Sequence, residues 1–284
     1  MQRFIDLIDS KEYDYAVNKM REFFRGKGFF EAGVQHRLSI LAACEDPTTI
    51  SNFDYSGKVW PMPQTGQMWL ERELLENPDA PGFYCITTSY RNEPDPVEGR
   101  HNLIFPMFEF EHHGGIDELI ALERDLLEFL GFGAVGSFPR VKYEAAAKLY
   151  EVEELDHEHE ASLETDFGIV TLLTHFPERT SPFWNMRVNP EDPSLANKVD
   201  VILYGVETIG SAERSIDPEE MRDKFHTISE GMYAKVLYKH FGTERVEREL
   251  EDFLAYDFFP RSGGGIGVTR MISAMKKHGL MPKF

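Results

Sequence analysis

Two arginines and a histidine stand on either side of the segment NEPDPVEG, which is rich in proline, glycine and acidic residues. Arg91 precedes this loop, and Arg100 and His101 follow it. Glu93 is two residues after Arg91, so on a strand both side chains point to one face of the sheet. Arginine binds phosphate oxygens in bidentate geometry, Phe105 offers a ring for stacking on a purine, and Glu93 is an acceptor for an adenine amine. The segment indicates a triphosphate site, although Arg-x-Glu alone is more commonly a salt-bridged strand face.

A glycine run near the C-terminus, SGGGIGVTR, is the second candidate for contact with phosphates. It matches neither the dinucleotide pattern G-x-G-x-x-G nor the P-loop. Its glycines allow a ligand to approach the backbone closely, and they are Gly263, Gly264, Gly265 and Gly267. Arg270 follows at the start of the next predicted helix, where its side chain can reach a phosphate. A glycine-rich turn without a ligand is an equally good interpretation of the run alone.

The segment VDVILYGVETIGSAER contains three charged residues at intervals of seven, and they are Asp200, Glu207 and Arg214. Paired carboxylates provide the hard oxygen ligands that suit a Mg²⁺ ion bridging ATP phosphates. Arg214 is a candidate partner for a carboxylate or amide oxygen of a substrate. Two surface acids and an ion-pairing arginine are the alternative.

Neutral polar residues precede and begin a predicted helix in PQTGQMWLE, and the candidates there are Gln64, Thr65, Gln67 and the acidic Glu71. Such groups fit the recognition of a zwitterionic amino acid. Glu109 and Glu111 lie two apart on a predicted strand and so share one face of the sheet. Each of these signals is weak by itself, and they gain weight only in combination.

The elements that must position these residues alternate between helical and extended patterns. Strands flank the NEPDPVEG loop and form a long hairpin, and VDVILYGVETIG is a strand pair or a bent strand. Helices are predicted over 10–25, 64–76, 116–131, after Pro139 and over 217–241, the last as one or two helices. Because the strands meet mainly by hairpins, we predict an α+β fold, an antiparallel β-sheet flanked by helices, in one domain over 1–284.

Composition narrows the function classes. The chain has 284 residues, 42% of them hydrophobic, and a net charge of −19, which weighs moderately against a nucleic-acid partner. Cys44 and Cys85 are too few for a disulfide framework. The N-terminus lacks a signal peptide, and no apolar run is long enough to span a membrane, so we predict a cytoplasmic protein without a membrane partner. The acidic DHEHE at 156–160 and the His112–His113 pair match no common zinc spacing and are interpreted as solvated surface.

Taken together and in this order, the segments resemble the class II aminoacyl-tRNA synthetases, the aspartyl/asparaginyl subgroup in particular, over nearly the whole chain. TSYRNE with GRHNLIFPMFEFE resembles the motif 2 hairpin, and FFPRSGGGIGVTRMI resembles motif 3. KVDVILYGVETIGSAER is similar to the strand that binds magnesium and the amino-acid side chain, and TSPFWNMR to the Phe-Tyr-Met-Arg stretch. Four ordered motifs make a chance agreement improbable.

The resemblance implies an ATP-dependent ligase that forms an aminoacyl-adenylate, with Arg91 and Arg270 as its catalytic residues. Arg91 would hold the α-phosphate and the acyl oxygen, and Arg270 the γ-phosphate. The other ATP-binding residues that it implies are Glu93 at the adenine amine, Phe105 on the base, Arg100 and His101 at the β- and γ-phosphates, and Glu207, Gly265 and Gly267.

For the metal and the amino acid, the resemblance implies that Asp200 and Glu207 bind Mg²⁺. The implied amino-acid-binding residues are Thr65, Gln67, Glu109 and Arg214, with Arg214 at the substrate's side-chain carbonyl or carboxylate. Leu70 stands where aspartate-specific members carry a lysine, and Glu109 also matches the asparaginyl type. A neutral, asparagine-like side chain is therefore favoured over aspartate.

Three departures from the family's pattern shape the remaining expectations. Met1 falls just before the catalytic core, so we expect no anticodon-binding domain. His36 replaces the motif 1 proline, which leaves a homodimer expected but its usual interface in doubt. The motif 2 loop is one residue longer, and Ile104 stands where a glutamate is usual.

Three functions remain open from the sequence. The first is a ligase that passes the activated amino acid to ammonia, an amine or a protein, as in the synthetase-related asparagine synthetases. The second is a truncated synthetase that aminoacylates tRNA, for which the acidic Asp95 and Glu98 in the loop are unfavourable. The third is a non-catalytic binding or regulatory protein, which the retention of the ATP-contacting residues disfavours.

Overall fold

The computed structural model describes residues 7–35, 37–41, 47–94, 102–180 and 183–284. Its strands are β1 (Phe30–Glu31), β2 (Ser51–Tyr55), β3 (Lys58–Met62), β4 (Gly82–Tyr90), β5 (Ile104–His113), β6 (Arg140–Lys142), β7 (Val170–Pro177), β8 (Leu195–Leu203), β9 (Val206–Glu213) and β10 (Arg261–Gly267). Its α-helices are α1 (Ser10–Gly26), α2 (Gln67–Glu76), α3 (Ile116–Leu130), α4 (Tyr143–Leu149), α5 (His157–Phe167), α6 (Pro218–Thr227), α7 (Met232–Phe241), α8 (Thr243–Leu254) and α9 (Val268–His278).

Eight strands form one sheet in the order β1-β4-β5-β10-β9-β8-β7-β6, and β2 pairs with β3 in a separate hairpin. The six central strands pair antiparallel, whereas the short edge strands β1 and β6 pair parallel with β4 and β7. The α+β prediction is confirmed, and the hairpins of the sequence form the middle of the sheet.

One face of the sheet, the back face, is covered by α1, α3 and α9 and contains the largest apolar cluster. Aromatic rings join α1 to the β4–β5 hairpin, because Phe24 packs 5.2 Å from Phe108 and 5.1 Å from Phe110 between ring centroids. Phe108 and Phe110 alternate with Glu109 and Glu111 along β5. Burial of the two rings at the back therefore fixes both glutamates on the opposite, front face.

The front face has small residues where the two central strands meet. Gly265 of β10 lies opposite Gly210 of β9, and Gly263 lies opposite Ala212. These four positions have almost no side-chain volume. A trench therefore runs along the middle of the front face, between the larger side chains of β5 and β8. A second apolar cluster, formed largely by α6, α7 and α8 with α2, closes this side of the molecule.

Most predicted elements are confirmed, with shifted boundaries. The region predicted as one or two helices from 217 is two helices, and Asp217 caps the first with Pro218 at its N-terminus. The helix predicted from residue 64 begins at Gln67. After Pro139 the chain first forms the strand β6, and the predicted helix follows as α4. The interpretation of 156–160 as solvated surface is confirmed for Asp156, His157 and Glu158, which are exposed at the start of α5. The same interpretation was wrong for His112 of β5, which is only 7% exposed. The hairpin β2–β3 and α8 were not predicted.

Within the described ranges, none of the helices combines the length and hydrophobicity that a bilayer crossing requires. His36 and Cys44 lie outside the described residues, as do Asp95 and Glu98 of the loop. The predictions that depend on them, the altered dimer contact above all, stay predictions.

Candidate active site

Two adjoining cavities lie over the trench, and we refer to them as the larger cavity, of about 630 Å³, and the smaller cavity, of about 480 Å³. They share one wall, whose residues are Arg91, Glu93, Met107, Glu207, Gly210 and Gly265. The larger cavity extends over the start of α9, and the smaller one extends towards α2. Their combined shape suits two substrates that meet at the shared wall.

Arg91 stands at that wall, immediately after β4 ends at Tyr90. Its backbone N–H donates to the carbonyl of Leu103 at 2.8 Å, and its guanidinium carbon lies 5.5 Å from the centroid of the Phe105 ring. The prediction that Arg91 and Glu93 lie on a strand was wrong, because the strand has already ended. Both side chains nevertheless line both cavities, so the predicted convergence is present.

Arg270 lies in the first turn of α9 and lines the larger cavity together with Arg91. Its Nη1 donates to the backbone carbonyl of Glu207 at 2.7 Å and lies 3.4 Å from the Glu207 carboxylate. Two guanidinium groups that are far apart in the sequence thus face one cavity. This is the arrangement that a polyphosphate requires.

The glycines of β10 serve two different purposes. A Cβ on Gly263 would stand 2.8 Å from Gln67 Nε2 and still closer to the Phe110 carbonyl, and one on Gly264 would stand 2.7 Å from the Gly210 carbonyl. These two glycines are required by packing between strands rather than by a ligand. Gly265 lines both cavities and Gly267 lines the larger one, and their role in a close approach of a ligand to the backbone stays a prediction.

The carboxylates of Asp200 and Glu207 converge above Gly210. A Cβ there would stand 2.8 Å from Glu207 Oε1 and 3.7 Å from Asp200 Oδ1, so only glycine leaves room for this arrangement. In the part of the chain that the structure describes, no cluster of three or more metal-binding side chains exists. A pair of carboxylates fits Mg²⁺, which takes its remaining ligands from water and substrate phosphates.

The charge of Glu207 is stabilised by its surroundings. Burial raises its pKa, but the attraction of Arg270, Lys198 and Arg91 outweighs burial, so the net effect is a lowered pKa. The carboxylate is therefore ionised at neutral pH and available to a cation.

Thr65 and Gln67 line the smaller cavity, but part of their hydrogen-bonding capacity is used within the protein. The Thr65 hydroxyl donates to Glu109 and accepts from the Gln67 backbone N–H. Glu109 also accepts from the backbone of Gly66 at 2.9 Å and from the Thr87 hydroxyl. Burial raises the pKa of Glu109 against these hydrogen bonds. Glu109 therefore holds the turn before α2 in place, in addition to lining the cavity.

Arg214 belongs to a buried network of four charges that sequence reasoning did not foresee. Its guanidinium donates to Glu111 at 3.2 Å and lies 3.6 Å from Glu71, and Glu71 in turn accepts from Arg261 at 2.8 Å. Both arginines and both glutamates are less than 5% exposed. Burial raises the pKa of Glu111 to about 7 against the attraction of Arg214, so the network is neutral as a whole when Glu111 is ionised. It fixes the orientation of Arg214 at the wall of the smaller cavity.

Lys198 lines the smaller cavity beside the cations Arg91 and Arg214, and it was not predicted. All nine residues of β8 are buried, Lys198 included. A lysine in the middle of a run that otherwise reads as buried strand was the available signal. Arg261 had no such signal, since its partner Glu71 lies 190 residues away. Arg100 and His101 lie outside the described residues, so their predicted roles stay predictions.

Residues 12–279 match the family described as tRNA synthetases class II (D, K and N). The chain belongs to this family.

Among its relatives, the asparagine–tRNA ligase of Pelotomaculum thermopropionicum is 24% identical over 89% of this chain and 62% of its own length. The lysine–tRNA ligase of Aquifex aeolicus is 22% identical over 95% of this chain and 53% of its own length. The chain thus spans less than two thirds of the length of these synthetase relatives.

The solved structures agree with the fold. The asparaginyl-tRNA synthetase of Pyrococcus horikoshii, solved with asparaginyl-adenylate, superposes with a TM-score of 0.76. It is 21% identical, and the match covers 94% of this chain and 64% of that one. The resemblance to an asparaginyl-type catalytic core is confirmed, and the class II synthetase fold is present.

Proposed function

We propose that the protein activates a small α-amino acid with ATP, forming an aminoacyl-adenylate and pyrophosphate. The observation that carries this proposal is the position of Arg91 in the wall shared by the two cavities. ATP in the larger cavity and an amino acid in the smaller one would meet beside its guanidinium. The adenylate named in the P. horikoshii structure is the product of that reaction.

The chemistry requires no general base, because the carboxylate of the amino acid is already a nucleophile. It attacks the α-phosphorus, the P–O bond to the β-phosphate breaks, and pyrophosphate leaves with the electron pair. The protein has to align the reactants and neutralise the charge that develops on the α-phosphate. Arg91 would do so at the shared wall, and Arg270 would hold the outgoing phosphates.

In this proposal Asp200 and Glu207 hold the Mg²⁺ that accompanies ATP. Bound there, the ion would supply additional charge neutralisation to the phosphates. Gly210 allows the two carboxylates to converge, and Phe105 beside Arg91 offers a face for the adenine.

For the amino acid, we propose a side chain that is polar and uncharged, with asparagine as the first candidate. When Glu111 is ionised, the charge of Arg214 is already compensated by Glu111 and Glu71, so a substrate carboxylate there would add an unbalanced buried negative charge. An amide avoids that cost and can still accept a hydrogen bond from Arg214. The asparagine–tRNA ligases among the relatives support the same choice.

Two observations favour different acceptors of the activated amino acid. A net charge of −19 favours ammonia, an amine or a protein over tRNA. The relatives support the opposite choice, because they are named as tRNA ligases. We therefore propose the adenylation step for this chain and treat transfer to tRNA and transfer to a small amine as two outcomes of one experiment.

The test is amino-acid-dependent exchange of labelled pyrophosphate into ATP, with asparagine, aspartate, lysine and the remaining amino acids assayed separately. Asparagine is expected to support exchange, and mass spectrometry should detect its adenylate on the protein. Addition of total tRNA, hydroxylamine or ammonia to the preformed adenylate then identifies the acceptor. Absence of exchange with every amino acid and close analogue would contradict adenylation.

A further inference from the structure

Lys198 places an ammonium group in an unusually enclosed position. Its side chain is only 6% exposed, and its Nζ lies 3.3 Å from Asp200 Oδ2. On another side, Nζ lies 4.5 Å from the centroid of the buried Phe176 ring, close enough for a cation–π contact. A carboxylate and an aromatic face therefore hold this charge in a defined place.

The small residues of β9 leave space for the Lys198 ammonium to face the carboxylates of Asp200 and Glu207. Lys198 lies opposite Ala212 in the sheet, and Asp200 lies opposite Gly210. Neither partner has a side chain large enough to separate Lys198 from the trench, and Lys198 lines the smaller cavity. The positive charge of Lys198 also helps to lower the pKa of Glu207. Burial, which raises this pKa, and Arg270, which lowers it, have larger effects, and the net effect is a lowered pKa. The ammonium thus acts on both carboxylates that are proposed to hold Mg²⁺.

A fixed positive charge beside a carboxylate opposes the approach of a divalent cation. The repulsion is strong because the side chains are buried and screening by water and salt is weak there. ATP changes this balance, since its phosphates bring several negative charges to the larger cavity beside Glu207.

We propose that Lys198 is a built-in counter-cation of the Asp200–Glu207 pair, which excludes a free divalent cation and admits the ion only together with ATP. Lys198 is a positioning residue in this scheme, because it acts through the carboxylates. The consequence for catalysis rests on the adenylation proposed above. The exclusion of free cations does not, since it depends only on the folded protein.

The test measures Mn²⁺ binding to the full chain without ATP, by following the electron paramagnetic resonance signal of the free ion. The wild type is expected to bind Mn²⁺ weakly in this site, and a non-hydrolysable ATP analogue should create a site that is occupied at far lower Mn²⁺ concentration. Tight binding by the wild type in the absence of nucleotide would overturn the proposal, whatever the variants do.

Two substitutions remove the ammonium and keep most of the buried stem, Lys198→Gln and Lys198→Met. Each is expected to strengthen Mn²⁺ binding without ATP by at least about tenfold, because Asp200 loses its buried ion-pair partner. Lys198→Arg keeps the charge and should bind Mn²⁺ as weakly as the wild type. Circular dichroism and thermal unfolding establish that each variant is folded.

Matched controls separate a local effect from a general change in charge. Lys277→Gln removes the same charge from the larger cavity, where Lys277 lies 5.6 Å from the Tyr204 ring. It is expected to leave Mn²⁺ binding nearly unchanged, and an equal gain in this variant would contradict the proposal. In Lys198→Gln combined with Asp200→Asn, the gain should disappear. Pyrophosphate exchange is assayed separately, so failure of adenylation and failure of this inference are distinguishable.

Discussion

At the scale of single residues, Arg91 and Arg270 have different tasks although both face the larger cavity. Arg91 adjoins both cavities and would contact the atoms that react, whereas Arg270 lines the larger cavity and donates to the Glu207 carbonyl. Replacement of either by alanine should therefore affect different kinetic constants. Neither guanidinium is part of an apolar cluster, so the fold should survive both changes.

Arg91→Ala is expected to lower the rate of pyrophosphate exchange by about 10²- to 10³-fold or more, the usual effect of losing a group that stabilises a transition state. Arg91→Lys should recover little of this rate, because an ammonium lacks the planar fork of the guanidinium.

Arg270→Ala should chiefly raise the KM for ATP. Exchange kinetics at varied ATP and amino acid measure both effects, and a normal rate in Arg91→Ala would refute its assigned role.

Arg214 requires a milder substitution than alanine. Its removal would leave Glu71 and Glu111 buried with one fewer partner, which typically costs about 3–5 kcal/mol of stability. Arg214→Lys keeps the charge and loses the fork, so it should raise the KM for the amino acid far more than that for ATP. Equal changes in the two KM values would show that Arg214 does not contact the substrate's side chain.

At the scale of elements, β10 shows that neighbouring glycines differ in what they allow. A Cβ on Gly263 would collide with the β5 backbone, which cannot move without breaking the central sheet. On Gly267 the nearest atom would be Arg270 Cδ at 3.5 Å, an ordinary contact, and φ there is −67°. The run GGGIG therefore combines positions that exclude a side chain with one that accepts it.

Gly263→Ala is expected to lower the free energy of unfolding by several kcal/mol or to prevent folding, as overpacking against immobile atoms does. Gly267→Ala should change it by less than about 1 kcal/mol, since alanine at an allowed φ also restricts the unfolded chain. Urea titrations of both variants measure the difference. A Gly263→Ala protein as stable as Gly267→Ala would mean that the packing between β5 and β10 is looser than described.

The hairpins β4–β5 and β8–β9 were predictable from sequence because their charged residues stand next to strand patterns. Arg91, Glu207 and Arg270 could be assigned to one site, since the family's motifs fix their order and spacing. The network around Arg214 could not, because Glu71, Glu111 and Arg261 come from three elements that only the folded sheet brings together. Lys198 stood out as a lysine within a strand pattern, but local sequence does not reveal that its cavity-facing neighbours are Gly210 and Ala212.

At the scale of the whole molecule, one buried carboxyl links stability to pH. Glu123 of α3 is 1% exposed beneath the sheet, and its Oε1 lies 2.6 Å from Ser211 Oγ. Ser211 Oγ also lies 3.0 Å from the Val199 carbonyl, and a hydroxyl has only one proton to donate. Both contacts are satisfied when Glu123 is protonated and donates to Ser211. Burial raises its pKa from 4.5 to about 8, in agreement with this arrangement.

The raised pKa determines the sign of the pH effect. Below pH 4.5 both the folded and the unfolded chain keep the proton, so no penalty arises. Between pH 4.5 and about 8 the unfolded chain releases the proton and the folded protein retains it, which lowers the free energy of unfolding progressively. The upper bound of this loss is about 1.4 kcal/mol for each pH unit in that window.

Glu123→Gln removes this penalty, because an amide does not ionise and can still donate a hydrogen bond to Ser211. Its advantage in unfolding free energy over the wild type should grow between pH 5 and pH 8 and then remain constant. Glu128→Gln, on the exposed side of the same helix, makes the same change in charge and should follow the wild-type profile. Parallel profiles for the wild type and Glu123→Gln would mean that Glu123 is ionised beneath the sheet, and the hydroxyl of Ser211 would then have to donate to it and leave the Val199 carbonyl.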